Sequence, residues 1–64
     1  MKITENDHVV LTQPMRGWPA GTEGAVVSDH GAVKLVEISD DRGQELDMFI
    51  VPEEKLRLIT QYPG

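Results

Sequence analysis

Between two β-branched runs, Val9-Val10-Leu11 and Ala25-Val26-Val27, lies Gln13-Pro14-Met15-Arg16-Gly17-Trp18-Pro19-Ala20-Gly21, and this loop rules out most architectures. Its two prolines and two glycines deny it to a helix interior and to a central strand. A short strand must end near Thr12, a long loop must follow, and a second strand must begin near Gly24. Gly21 and Gly24 suit the tight turn into that strand, where positive φ or close backbone contact leaves no room for a side chain. They are not a phosphate loop, because no Lys-Ser or Lys-Thr pair accompanies them and no helix follows.

The other apolar runs are equally short and are separated by turn chemistry. Alternation within His8–Thr12 sets Val9 and Leu11 on one face and Val10 on the other. Gly24–Ser28 is the second strand, with Val26 directed to the core, and Asp29-His30-Gly31 is a turn in which Gly31 supplies positive φ. Val33–Ser39 is the third strand, with Val36 and Ile38 opposed to Leu35 and Glu37. Asp40-Asp41-Arg42-Gly43 is the clearest hairpin turn. Gln44–Val51 is the fourth strand, with Phe49 and Val51 on one side and Leu46, Met48 and Ile50 on the other. Pro52-Glu53-Glu54-Lys55 fits a single helical turn, since proline favours the first helical position and acids sit well beside it. Leu56–Ile59 is the last strand. No window holds a 3.6-residue apolar period over the roughly ten positions a helical bundle needs.

Sixty-four residues make one domain, 1–64, with its core over about 6–60 and frayed ends. A chain this short buries only about 60% of its unfolded surface, so its stability is marginal. There is no cysteine, which excludes a disulfide framework and a thiolate metal site. The N-terminus lacks the apolar core of a secretory signal, and no run approaches the roughly 20 apolar residues of a membrane span. The expectation is a cytoplasmic protein with no membrane partner. Eleven acidic residues against six basic give a net charge of −5, a field that repels a phosphate backbone.

The segments Asp7-x-Val9-Val10-Leu11-Thr12, Gly21-Thr22-Glu23-Gly24-Ala25-Val26-Val27, Val36-Glu37-Ile38, Asp41-x-Gly43 and Val51-Pro52-x-Glu54-x-Leu56 follow one another in a familiar order. In them the chain resembles a bacterial family of small standalone SH3-like barrels, catalogued only as a domain of unknown function. The resemblance runs from about Asn6 to Leu58. More distantly the skeleton is similar to SH3-like accessory subunits of electron-transport complexes and to KOW-type modules. Lys34 and Ile38 stand where those patterns favour aromatics. The resemblance implies binding rather than chemistry, and the predicted fold is all-β. It is a small five-stranded SH3-like barrel with a long first loop and one helical turn before the last strand. Closing the sheet on itself would remove its exposed edges.

Trp18, the only tryptophan, sits mid-loop between Gly17 and Pro19. A large ring held by rigid neighbours docks at low entropic cost, and Met15 and Arg16 beside it are also types enriched at interfaces. The alternative is that Trp18 folds back to plug the barrel. Met15, Arg16 and Trp18, with Met48 and Ile50 as nearby apolar positions, form the predicted partner-binding surface. Gly21, Gly24, Gly31 and Gly43 are read as structural turn residues. His8, His30 and Asp29 have no metal-ligand spacing, so neither a metal nor a cofactor is expected. Asp40, Asp41, Glu45 and Asp47 crowd one turn, with Glu45 and Asp47 on the same side, as an acidic rim or a solvated hairpin tip. Arg16, Lys34, Arg42, Lys55 and Arg57 are scattered cations, and Lys55 and Arg57 give thin support for nucleic acid. Ser28 and Ser39 sit at strand ends, and no nucleophile–base pair is placed. The expected function is a non-catalytic interaction or accessory module with a protein partner: a small subunit, an antitoxin or an immunity-type protein. Self-association is compatible with a marginal core. The alternative is a KOW-like nucleic-acid binder.

Overall fold

The computed structural model describes residues 2–64. Its elements are β1 (His8–Leu11), β2 (Glu23–His30), β3 (Val33–Ser39), β4 (Glu45–Pro52), a 3-10 turn (Glu53–Lys55) and β5 (Leu56–Thr60). They make one antiparallel sheet in the order β4-β3-β2-β1-β5. The long first loop separates β1 from β2, and the single helical turn precedes the last strand, as expected of an SH3-like barrel. β2 runs on through Asp29 and His30, which the sequence assigned to a turn, because Asp29 pairs with Lys34 and His30 with Val33.

Side chains from all five strands enter one core: Val9 and Leu11, Val26, Val36 and Ile38, Phe49 and Val51, and Leu56. A flat sheet could not bring them together. β2 bends at a register shift between Val26 and Ser28, and such bulges increase local twist. Among the described residues β4 and β5 do not pair, so the barrel is not closed. Its two edges are β4 and β5.

The packed structure begins earlier than residue 6. Ile3 is buried in the core, and Asp7, fully buried, explains why. Its Oδ2 accepts from the Thr4 backbone N–H at 2.8 Å, and its Oδ1 accepts from the Tyr62 N–H at 2.7 Å. Its own carbonyl accepts from Val26 N–H at 3.0 Å. Asp7 thus joins the N-terminal segment and part of the C-terminal tail through its carboxylate and holds them to β2 through its backbone carbonyl.

Gly24 lies within β2 rather than in a turn. A Cβ there would stand 2.8 Å from the Glu37 carbonyl oxygen, 2.9 Å from Val36 Cγ1 and 3.0 Å from Ile38 Cδ1. β3 can pass this closely only over a residue without a side chain. Gly24→Ala should therefore lower stability by about 1–3 kcal/mol, an overpacking cost. Urea denaturation followed by tryptophan fluorescence checks it; an unchanged midpoint would refute the close approach.

Candidate functional site: the first loop and the two ends of the core

Inside the first loop, Met15 and Trp18 exchange two backbone hydrogen bonds, Met15 N–H to Trp18 C=O at 2.9 Å and the reverse at 2.7 Å. The residues between them, Arg16 and Gly17, have φ of 54° and 85°. This is a two-residue hairpin of type I′, the turn that demands positive φ at both central positions. Gly17 adopts it freely, whereas an arginine in the left-handed region costs roughly 1–2 kcal/mol. The surrounding contacts hold it there. Met15 and Trp18 are half-buried against the core. The Trp18 indole N–H donates to Asp47 Oδ2 at 2.9 Å, and the exposed Arg16 guanidinium lies 5.5 Å from the centre of the Phe49 ring. Arg16 is also 3.9 Å from Asp47 Oδ1, a loose approach.

Trp18 packs against the core, as the plug reading expects, and remains partly exposed. Met48 and Ile50 do not join it. Asp47, Phe49 and Val51 share the core side of β4, and alternation turns Met48 and Ile50 to the other side, where Ile50 is 51% exposed. The predicted surface is therefore two surfaces, one of Met15, Arg16 and Trp18, the other of Met48, Ile50 and Leu46.

The acidic turn also separates into distinct roles. Asp40 Oδ1 accepts from the Arg42 and Gln44 amides, both at 2.9 Å, so it builds the turn. Asp47 serves Trp18. The same-side reading of Glu45 and Asp47 fails, because Ile38 pairs with Asp47 and Ser39 with Glu45, which leaves Leu46 as a bulge. Gly21, Gly31 and Gly43 take positive φ in loops and turns.

Lys34 is not a surface cation. It shares the inward face of β3 with Val36 and Ile38 and is 1% exposed. Its ammonium donates to Asp29 Oδ1 at 2.5 Å and to the Gly31 carbonyl at 2.7 Å, and Glu53 Oε2 lies at 3.4 Å. A buried charge is tolerable only when paired and hydrogen-bonded in this way. Glu53 Oε2 also accepts from Ile3 N–H at 3.3 Å. The signal was present in the parity of Lys34 with Val36 and Ile38. The residues that neutralise it are distant along the chain and carry no shared pattern. The partners of Asp7 and Asp47 were illegible for the same reason.

His8 faces Glu23 at 3.0 Å, His30 Nε2 lies 2.8 Å from Ser28 Oγ, and Asp29 is engaged with Lys34. Among the described residues no three His, Asp or Glu side chains converge on a metal-sized space. No helix is long and apolar enough to cross a membrane. Lys55 ends the 3-10 turn and Arg57 lies in β5. A shallow cavity of about 370 Å³ opens beside them, lined by Ile3, Glu53, Glu54, Leu56, Arg57 and Leu58. No protein-family model, curated protein or solved structure matches this chain.

Hydrogen bonds from the Thr4 and Tyr62 amides hold the Asp7 carboxyl below the usual carboxylate range despite its burial. Lys34 lowers Asp29 in the same way, and the Trp18 indole lowers Asp47. Lys34 is raised above the ordinary lysine value, chiefly by Asp29. The three carboxyls bind protons more weakly folded than unfolded, so their stabilisation holds above about pH 4 and drains as pH falls below it. The lysine contribution is complete below the ordinary lysine range and is lost as pH rises through the raised value. Urea midpoints should form a plateau that falls at both extremes. Lys34→Met should flatten the alkaline fall and leave the acid fall from Asp7 and Asp47.

Asp47→Ala removes the indole's acceptor. The domain should remain folded by circular dichroism while Trp18 emission moves to longer wavelength. An unmoved spectrum would mean that core packing alone holds the ring.

Proposed function

We propose that this domain is a non-catalytic protein-interaction or accessory module that docks through the first loop. The observation that carries the reading is the type I′ hairpin at Met15–Trp18. It holds Trp18 on Asp47 and Arg16 on Phe49 before any partner arrives. Rigid aromatic and arginine side chains lose little freedom on association, which is where interfaces otherwise lose affinity. The left-handed Arg16 adds to this, because strained backbone persists where surrounding contacts over-determine it, and such residues cluster at binding sites. Its natural role is that of a small subunit or binding partner in the cytoplasm, of the antitoxin or immunity type.

Nucleic acid is the weaker reading. The chain carries a net charge of −5, one of its six cations is buried, and Arg16 faces Asp47. A pull-down from native lysate with tagged wild type, Arg16→Glu and Trp18→Ala separates the two. Arg16→Glu changes an exposed side chain, and a circular-dichroism spectrum like that of wild type separates loss of a specific protein from a folding effect. Truncating the Trp18 anchor should cost about 2 kcal/mol or more, roughly 30-fold in affinity. Equal capture by all three proteins, or only salt-labile nucleic acid, would overturn the loop reading.

A further inference from the structure

We propose a second docking surface on the free edge of β5, which takes an extended, basic–apolar peptide segment of another protein as a sixth strand. The ladder fixes which backbone groups are available. Leu11 uses its N–H and C=O on the β2 side, bonding the Thr22 carbonyl at 2.9 Å and the Gly21 amide at 2.8 Å. Leu56, which stands opposite Leu11, therefore has no bonds to exchange with β1. Arg57, opposite Val10, exchanges them, and Leu58, opposite Val9, again points outward. Leu56 N–H is taken by the Glu53 carbonyl. The Leu56 C=O and both Leu58 backbone groups face the open edge, the arrangement that strand addition uses.

The side chains around this edge say what kind of strand fits. The 370 Å³ cavity beside it has an apolar floor of Ile3, Leu56 and Leu58, large enough for one apolar side chain. Glu53, Glu54 and Arg57 complete its lining; Glu53 is engaged by Lys34 and the Ile3 amide, whereas among the described residues no ion pair involves Glu54. A basic residue placed at Glu54, away from Arg57, complements that unpaired acid, and the net charge of −5 favours its approach. A second copy fits poorly. It brings the same −5 charge, and pairing Leu58 with Leu58 of the copy lays Thr60 across from Leu56. Pairing Leu56 with Leu58 of the copy sets Arg57 against Arg57.

The probe is the peptide acetyl-Lys-Val-Lys-Leu-Lys-Val-amide, titrated to millimolar concentration into the 15N-labelled full chain. Its counterpart has glutamate for every lysine. The lysine peptide should shift the amides of Leu56, Arg57, Leu58 and Ile59 while the Trp18 indole signal stays in place. The glutamate peptide, and the lysine peptide on Glu54→Lys, should bind about fivefold more weakly, the effect of an exposed ion pair. Four results would overturn the proposal: no shift in β5, shifts centred on Trp18, equal response to both peptides, or β5 shifts that follow protein concentration without peptide. The last would mark a second copy. Because the readout is local to β5, it is independent of the first-loop surface.

Discussion

The buried Lys34 ammonium is the interaction around which one end of the molecule is organised. It ties Asp29 at the end of β2, the Gly31 carbonyl in the β2–β3 turn, and Glu53 at the start of the 3-10 turn. Glu53 in turn receives the Ile3 amide, and its own N–H donates to the Ala32 carbonyl at 2.8 Å. A charge taken out of water costs several kcal/mol unless such partners surround it, and losing one partner leaves that cost uncompensated. The same contacts position Ile3, Glu53 and Leu56, which form much of the cavity along β5. Packing at this end and the shape of the β5 groove therefore share one cause.

The opposite end is held by a different device. The first loop cannot join the sheet, because its prolines lack the amide hydrogens a ladder requires. It folds instead on itself as a two-residue hairpin and leans on the core through Met15 and Trp18. The indole–carboxylate bond to Asp47 crosses from this loop to β4, the edge strand. Such a bond to a charged acceptor is stronger than a neutral one, which suits a contact that must fix a loop. The open sheet thus gains side-chain bridges where backbone pairing stops.

The β5 surface follows from the incomplete barrel. A closed sheet would have no edge at β5. The five strands leave two edges here, at β4 and β5, and what covers or uses an edge is then a question of binding. The first loop offers rigid side chains, and β5 offers unpaired backbone beside an apolar hollow. The two surfaces are chemically distinct and need not serve the same partner.

Composition and periodicity were enough to read five strands, the long loop, the hairpin at Asp40–Gly43 and the turn before β5. They also identified the inward faces carrying Val9, Leu11, Val36, Ile38, Phe49 and Val51. These features are local: they depend on alternation, on proline and glycine, and on residues a few positions apart. Trp18 was legible as a special residue, but not its bond to Asp47, and Met48 and Ile50 were grouped with it although β4 turns them away. The partners of Lys34, the burial of Asp7, the core place of Ile3 and the open edge of β5 were decided only by the tertiary structure. Each depends on groups brought together from remote parts of the chain, Asp7 with Tyr62 and Ile3 with Glu53. A charged side chain looks the same in sequence whether water or a carboxylate will surround it; only the folded chain chooses between them.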